Sequence, residues 1–363
     1  MRVDILAELL SSVRAHGALL ARAVLDPPWS VRFDTEAPLS LVTLLDGSGW
    51  ITPVGGAPIP LAPGDIAVLT GPASYTVSDP PDTPPRLVVV GDVECRWADG
   101  TPFDTDAPAA TRTCSVDPGG STQLLTGVYD GRTGVSDRLL RALPPVLVTR
   151  DEDRHCPVLD LVSEEIVTTL PGHQVVLDRL LDLLLVSTLR AWFDSHPDQA
   201  PHWYRAAADP VVGRALRLLH ENPAAPWTVA TLAHACGLSR AAFARRFTAG
   251  VGEPPMRYLA EWRVCLAADL LRETESTVAT IARRVGYADA FALSVAFTRL
   301  RGCSPTAYRR AVATASPPVP AGAPVGSPPG GGEGLASPVG TVSRGEARVP
   351  RGPGPGARRS SRP

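Results

Sequence analysis

Residues 228–258, TVATLAHACGLSRAAFARRFTAGVGEPPMRY, and residues 277–308, TVATIARRVGYADAFALSVAFTRLRGCSPTAY, are two copies of one pattern. Thr228, Leu232, Ala233, Gly237, Leu238, Ser239, Phe243, Phe247, Gly252, Pro255 and Tyr258 correspond to Thr277, Ile281, Ala282, Gly286, Tyr287, Asp289, Leu293, Phe297, Gly302, Pro305 and Tyr308. The offset is 49 before the central turn and 50 after it, so one residue has been inserted where a turn tolerates it. Each copy has the grammar of a helix-turn-helix. A capping threonine starts one helix, a glycine permits the left-handed turn that ends it, and Ser239 or Asp289 caps a second. Phe243 and Phe247, or Leu293 and Phe297, lie four apart and share the buried stripe of that second helix. Between the copies MRYLAEWRVCLAADLLRE reads as one unbroken helix, a rigid spacer. Two recognition helices at fixed separation can enter successive major grooves, about 34 Å apart, on one face of DNA.

Charge patterning supports a polyanionic partner. The whole chain carries a formal net charge of −2, but residues 1–200 hold 14 Arg against 27 Asp and Glu, residues 201–315 hold 15 against 8, and residues 316–363 hold 6 against 2. The block containing the repeat is therefore basic, and the acidic block before it is expected to stay off nucleic acid. All 35 basic residues are arginine, from which no function follows. The six cysteines are scattered without a C-x-x-C pair, which points to buried thiols instead of a zinc ribbon or a disulfide framework. No apolar run approaches the roughly 18–20 residues of a membrane helix. The first residues mix charge with apolar positions, unlike a secretory leader. A cytoplasmic protein without membrane contact is expected.

Outward from the repeat the pattern changes. Residues 316–363 contain 11 Pro and 11 Gly among 48 positions and are expected to be disordered. Residues 30–95 break into short apolar runs with turns near Asp46-Gly47 and Pro63-Gly64-Asp65, an antiparallel β pattern preceded by a helix over residues 4–20. Asp65 is read as a turn residue, and His155-Cys156 as ordinary surface. Val158 to Val167 and Val176 to Trp192 form two amphipathic helices. The second is so rich in leucine that it fits either deep burial or a dimer seam, with Leu180, Leu184 and Leu185 as candidate outward positions. Residues 196–208 read as a linker, and Asp209-Pro210 as the cap and first position of the next helix.

At the repeat the chain resembles the AraC/XylS family of transcriptional regulators. IARRVGYADAFALSVAFTRLRGCSPTAYRR is similar to that family's signature and LAHACGLSRAAFARRFTAGVGEPPMRYL to its companion motif. The resemblance, over about residues 209–310, implies sequence-specific binding of double-stranded promoter DNA. Carried over by position, base contacts fall to Arg240, Ala241, Ala244 and Arg245 in the first recognition helix, and to Ala290, Phe291, Ser294 and Val295 in the second. Where the family commonly has arginine this chain has Val295. The second reading face then offers apolar contact to thymine methyls, where an arginine would take guanine bidentately. Weak readout and backbone docking are expected of it.

Residues 1–195 resemble the cupin-type sensor domain of one AraC subgroup, with LLDGSGWI, LAPGDIAVL and LRALPPVLV at its landmarks. Cupin enzymes hold metal through histidines on the barrel strands. Here Val42 and Ser74-Tyr75 stand at those places, and none of the seven histidines falls between residues 30 and 100, so no metal or other cofactor and no catalysis is expected. Trp50, Tyr75 and Trp97 fit either a pocket lining or core packing. The expected fold is α+β multidomain: a cupin-like β-barrel with helical extension over 1–195, a linker over 196–208, an all-α domain with two helix-turn-helix motifs over 209–312, and a Pro/Gly-rich tail from 313. The expected function is a homodimeric DNA-binding regulator controlled by a small-molecule effector bound in the N-terminal domain, meeting RNA polymerase if it activates. The alternatives are a ligand-independent regulator acting through dimerisation or a protein partner, and a cupin enzyme fused to a DNA anchor.

Overall fold

The computed structural model describes residues 6, 21–91, 94–103, 113–117, 119–129, 134–150, 156–168 and 170–315. The expected helix over residues 4–20 apart from Leu6, the expected tail from residue 316 onward, and His155 lie outside them; the first residues expected in that tail, 313–315, are instead the end of a helix. In chain order the strands are β1 Ala21–Leu25, β2 Trp29–Thr35, β3 Leu39–Asp46, β4 Gly49–Pro53, β5 Ile59–Leu61, β6 Ile66–Thr70, β7 Ala73–Asp79, β8 Leu87–Val90, β9 Glu94–Trp97, β10 Thr113–Ser115, β11 Thr122–Tyr129 and β12 Val146–Thr149. They form two six-stranded sheets, in the orders β10-β1-β11-β3-β6-β12 and β5-β4-β7-β2-β8-β9.

Alternation along β3 shows why this segment reads as almost continuously apolar. Leu39 and Leu41 face a cluster shared with helices, while Val42 and Leu44 face the barrel interior. β6 divides the same way, Ile66 and Val68 outward, Ala67 and Leu69 inward, with Leu41 registered against Val68. A sheet buried on both faces loses its polar alternation. The interior is filled with side chains, among them Phe33 stacked on Tyr75 at 4.9 Å between ring centroids. Tyr75 is core, and Val42 sits beside it in the same apolar cluster. Trp50 is half-buried, and Trp97 packs edge-on against Phe103 at 5.0 Å. Asp65 closes its turn as expected. Its Oδ2 accepts from the Ala62 amide at 3.0 Å and from Arg150 at 2.6 Å.

Helices α1 Gly134–Leu140, α2 Pro157–Glu165 and α3 His173–Ser195 complete the first half. The Tyr129 hydroxyl of β11 donates to the Leu181 carbonyl of α3 at 2.8 Å, fixing helix to sheet. Leu184 and Leu185 are buried, so these two do not face outward: they are the ridge of α3 that packs on the sheet. The outer row of α3 is instead Val176, half-buried Leu180 and Leu183. Residues 196–208 are packed, not an open tether. They hold the short helix α4 His202–Ala206, with Ala200, Trp203 and Ala206 in the same cluster as Leu189 and Phe243.

The remaining helices are α5 Pro210–Glu221, α6 Val229–Ala235, α7 Arg240–Val251, α8 Pro255–Glu273, α9 Val278–Val285, α10 Ala290–Arg301 and α11 Pro305–Ala315. Asp209 caps α5, its Oδ1 accepting from the Val211 and Val212 amides at 2.8 and 3.0 Å. Helix α8, 19 residues and so about 28 Å long, joins the two repeats as the expected spacer.

Candidate nucleic-acid interface

Each repeat folds by the local rules its sequence carries. Thr228 and Thr231 form a capping box at the start of α6, and Thr277 accepts from the Thr280 amide at the start of α9. Gly237 and Gly286 sit at φ of 70° and 93°, in the left-handed region. Ser239 then accepts from the Ala242 amide at 3.3 Å to start α7, and Asp289 from the Ala292 amide at 2.8 Å to start α10. Phe243, Phe247, Leu293 and Phe297 are all fully buried. That inward stripe fixes which residues look out.

On α7, Arg240, Ala241 and Arg245 are exposed and Ala244 half-exposed. Arg240 and Arg245 make no ion pair among the described residues. The neighbouring Arg246 is tied, its Nη2 donating to Asp209 Oδ2 at 2.8 Å. On α10, Phe291 is 77% and Val295 55% exposed, with Ala290 and Ser294 half-exposed. The eight expected contact residues therefore lie on two outward faces of equivalent placement, one carrying guanidinium groups and one apolar. Sequence reasoning passed over Arg283 and Arg284, exposed in the last turn of α9. Their signal was the excess of arginine over carboxylate in this block.

Other arginines of the basic block are structural. Arg309 donates to the carbonyls of Leu271, Thr274 and Ser276, and Arg263 to those of Pro223 and Ala225. A third group joins the two halves of the molecule. From α1, Arg138 donates to Glu253 at 2.8 Å and Glu261 at 3.2 Å and lies 4.3 Å over the Tyr258 ring, while Asp137 accepts from Arg301 at 2.6 Å. Arg138 and Arg301 are largely buried, and because desolvating both charges offsets their attraction, such pairs add little net stability. Beside them burial pushes the Cys265 thiol up, against the pull of Arg301 and Arg138, which leaves it a core residue. A cleft of about 500 Å³ opens here, lined by Arg138, Arg141, His202, Glu253, Glu261 and Arg301 among others.

A double-sheet barrel followed by paired helix-turn-helix units defines a two-part DNA-binding protein. The cupin family model matches residues 4–194, more than half of the chain, and the helix-turn-helix domain model matches residues 232–311. An AraC-like transcription regulator of Streptomyces lividans is 34% identical over 313 residues, covering 85% of this chain and 98% of its own. One of Streptomyces antibioticus is 33% identical over the same length, covering 85% and 99%. The solved DNA-binding domain of AdpA, in complex with a target DNA, shares 34% identity over 30% of this chain and 96% of its own, with a TM-score of 0.29. The chain belongs to the AraC-like transcription regulators, with a cupin domain ahead of its helix-turn-helix domain.

Proposed function

We propose that this regulator binds promoter duplex through both recognition helices, α7 reading bases with Arg240 and Arg245, and α10 docking Ala290, Phe291, Ser294 and Val295 in the next groove. The observation that carries this is the matched outward presentation of the two faces on a rigid spacer. Arg283 and Arg284 would hold phosphate and lend the affinity its salt dependence. The chain acts as a binding protein and not an enzyme, in the cytoplasm, with RNA polymerase as a further partner if it activates. The test is selection of duplexes from a random pool by the full chain, followed by Arg245→Ala. The substitution should cost about 1–3 kcal/mol and relax preference at one base pair. Failure to enrich any sequence, or an equal loss on all sequences, overturns the base-reading role.

Control is proposed to pass through α1. A small-molecule effector seated in the cleft of about 500 Å³, a volume suited to such ligands, would compete for Arg138 and Arg301 and release the DNA-binding half from its present pose. Arg138→Ala should then mimic the effector and change DNA affinity without one. Unchanged affinity sinks this route. A second copy of the chain is the proposed cover for Val176, Leu180 and Leu183, continued by exposed Leu161 on α2. Leu183→Glu should halve the mass measured by light scattering, and a folded variant that stays dimeric, or a monomeric parent, rules the seam out.

A further inference from the structure

We infer that the second recognition helix is a methyl reader: Phe291 and Val295 select base pairs carrying a 5-methyl group, thymine or 5-methylcytosine, in the half-site under α10. The inference rests on the DNA-binding reading and adds what that face recognises. Helix α10 repeats α7 in its cap, its inward stripe and its terminal left-handed glycine, Gly302 for Gly252, so Phe291 and Val295 occupy the base-facing surface. They lie one turn apart and form a continuous apolar strip, Phe291 being more exposed than any other large apolar side chain among the described residues.

Two polar groups of this helix are engaged elsewhere. The Ser294 hydroxyl donates to the Ala290 carbonyl of its own helix at 2.7 Å, and Arg301 is turned to Asp137. Exposed Arg299 stands one turn beyond Val295, where it ends the apolar strip at the C-terminal end of α10, and Arg283 and Arg284 stand on the preceding helix, all suited to backbone phosphates. The charge around the strip is thus complementary to DNA, and the strip itself is not. In the major groove the apolar feature it can cover is the thymine methyl, which cytosine acquires on 5-methylation. Ordinary cytosine and uracil present none.

The test uses the full chain and a duplex it has itself selected. Thymines are replaced by deoxyuridine one half-site at a time. In the half under α10 each contacted replacement should weaken binding about four-fold, the worth of one buried methyl group. In the half under α7 the effect should be small. Cytosine placed at a contacted thymine should cost affinity that 5-methylcytosine restores. Phe291→Ala, exposed and so harmless to folding, should weaken binding to the thymine duplex and abolish its response to uracil while keeping the sequence preference under α7. Selected duplexes that tolerate uracil throughout overturn the inference and leave DNA binding standing. A Phe291→Ala protein with unchanged affinity and unchanged uracil response also overturns it, and directs the strip to a protein partner. No enrichment of any duplex removes the DNA-binding reading and this inference with it.

Discussion

The two helix-turn-helix units share caps, turns and buried stripes and differ in everything else that matters for function. The first is built into the rest of the molecule, Phe243, Phe247, Tyr258 and Trp262 belonging to one apolar cluster that runs back through Trp203 and Trp192 to Leu41 of the barrel. The second has a core of its own, made by Val264, Ala268, Ile281, Leu293 and Phe297, and meets the first unit through α8 and the N-terminal domain through Arg301. Their outward faces diverge as well, guanidinium on α7 and hydrocarbon on α10. A duplicated backbone grammar fixes where a side chain points, and the residue standing there decides what is read.

The largest test of that contrast is in the cores. Phe247→Ala and Phe297→Ala each empty a fully buried ring and should cost about 3–5 kcal/mol. The first should lower the melting of the N-terminal domain and first unit together, whereas the second should produce a separate early transition confined to the last helices. Identical single transitions in both variants would show that the clusters unfold as one, and the contrast would fail.

Next come the turn glycines. A Cβ on Gly237 meets open space, so Gly237→Ala should cost only the left-handed backbone penalty of roughly 1–2 kcal/mol. At Gly286 the same atom would lie 2.7 Å from the Ala224 Cα and 2.7 Å from an Arg263 nitrogen, and that guanidinium is held by two carbonyls. Gly286→Ala should therefore destabilise clearly more, measured by chemical denaturation. Equal losses would mean that the 223–225 loop gives way freely.

The smallest effect is with pH. Burial works to raise the Asp209 carboxyl, but hydrogen bonds from the Val212 amide, Arg246 and the Val211 amide outweigh it and hold the group below the ordinary carboxylate range. A depressed carboxylate contributes stability that is complete above its unfolded value and is lost as pH falls through its folded one. Acidification below about pH 4 should loosen the first unit, where Asp209 pins α5 to Arg246, and Asp209→Asn should flatten that part of the melting profile. An unchanged profile would remove Asp209 from the account.

The outward placement of the eight candidate positions was legible because it follows from the opposite face: once Phe243, Phe247, Leu293 and Phe297 are assigned inward, helical period assigns the rest outward. The face of α3 was not legible. Its leucines occupy more of the circumference than one stripe, and only the Tyr129 to Leu181 contact and the position of the sheet show that Leu184 and Leu185 turn in while Leu183 turns out. The same holds for residues 196–208, whose composition reads as a tether while Trp203 buries itself in the core.

By itself the sequence determined the repeat, its caps, its left-handed glycines and the absence of histidine from the barrel strands. These are local properties: a cap satisfies an amide two or three residues on, and a glycine frees its own φ. Only the tertiary structure decided which arginines are spent, Arg246 on Asp209, Arg301 on Asp137 and Arg138 on Glu253, and which remain free to meet a ligand. The partner of a charge 37 to 164 residues away is chosen by packing of the elements between, and no local period records it.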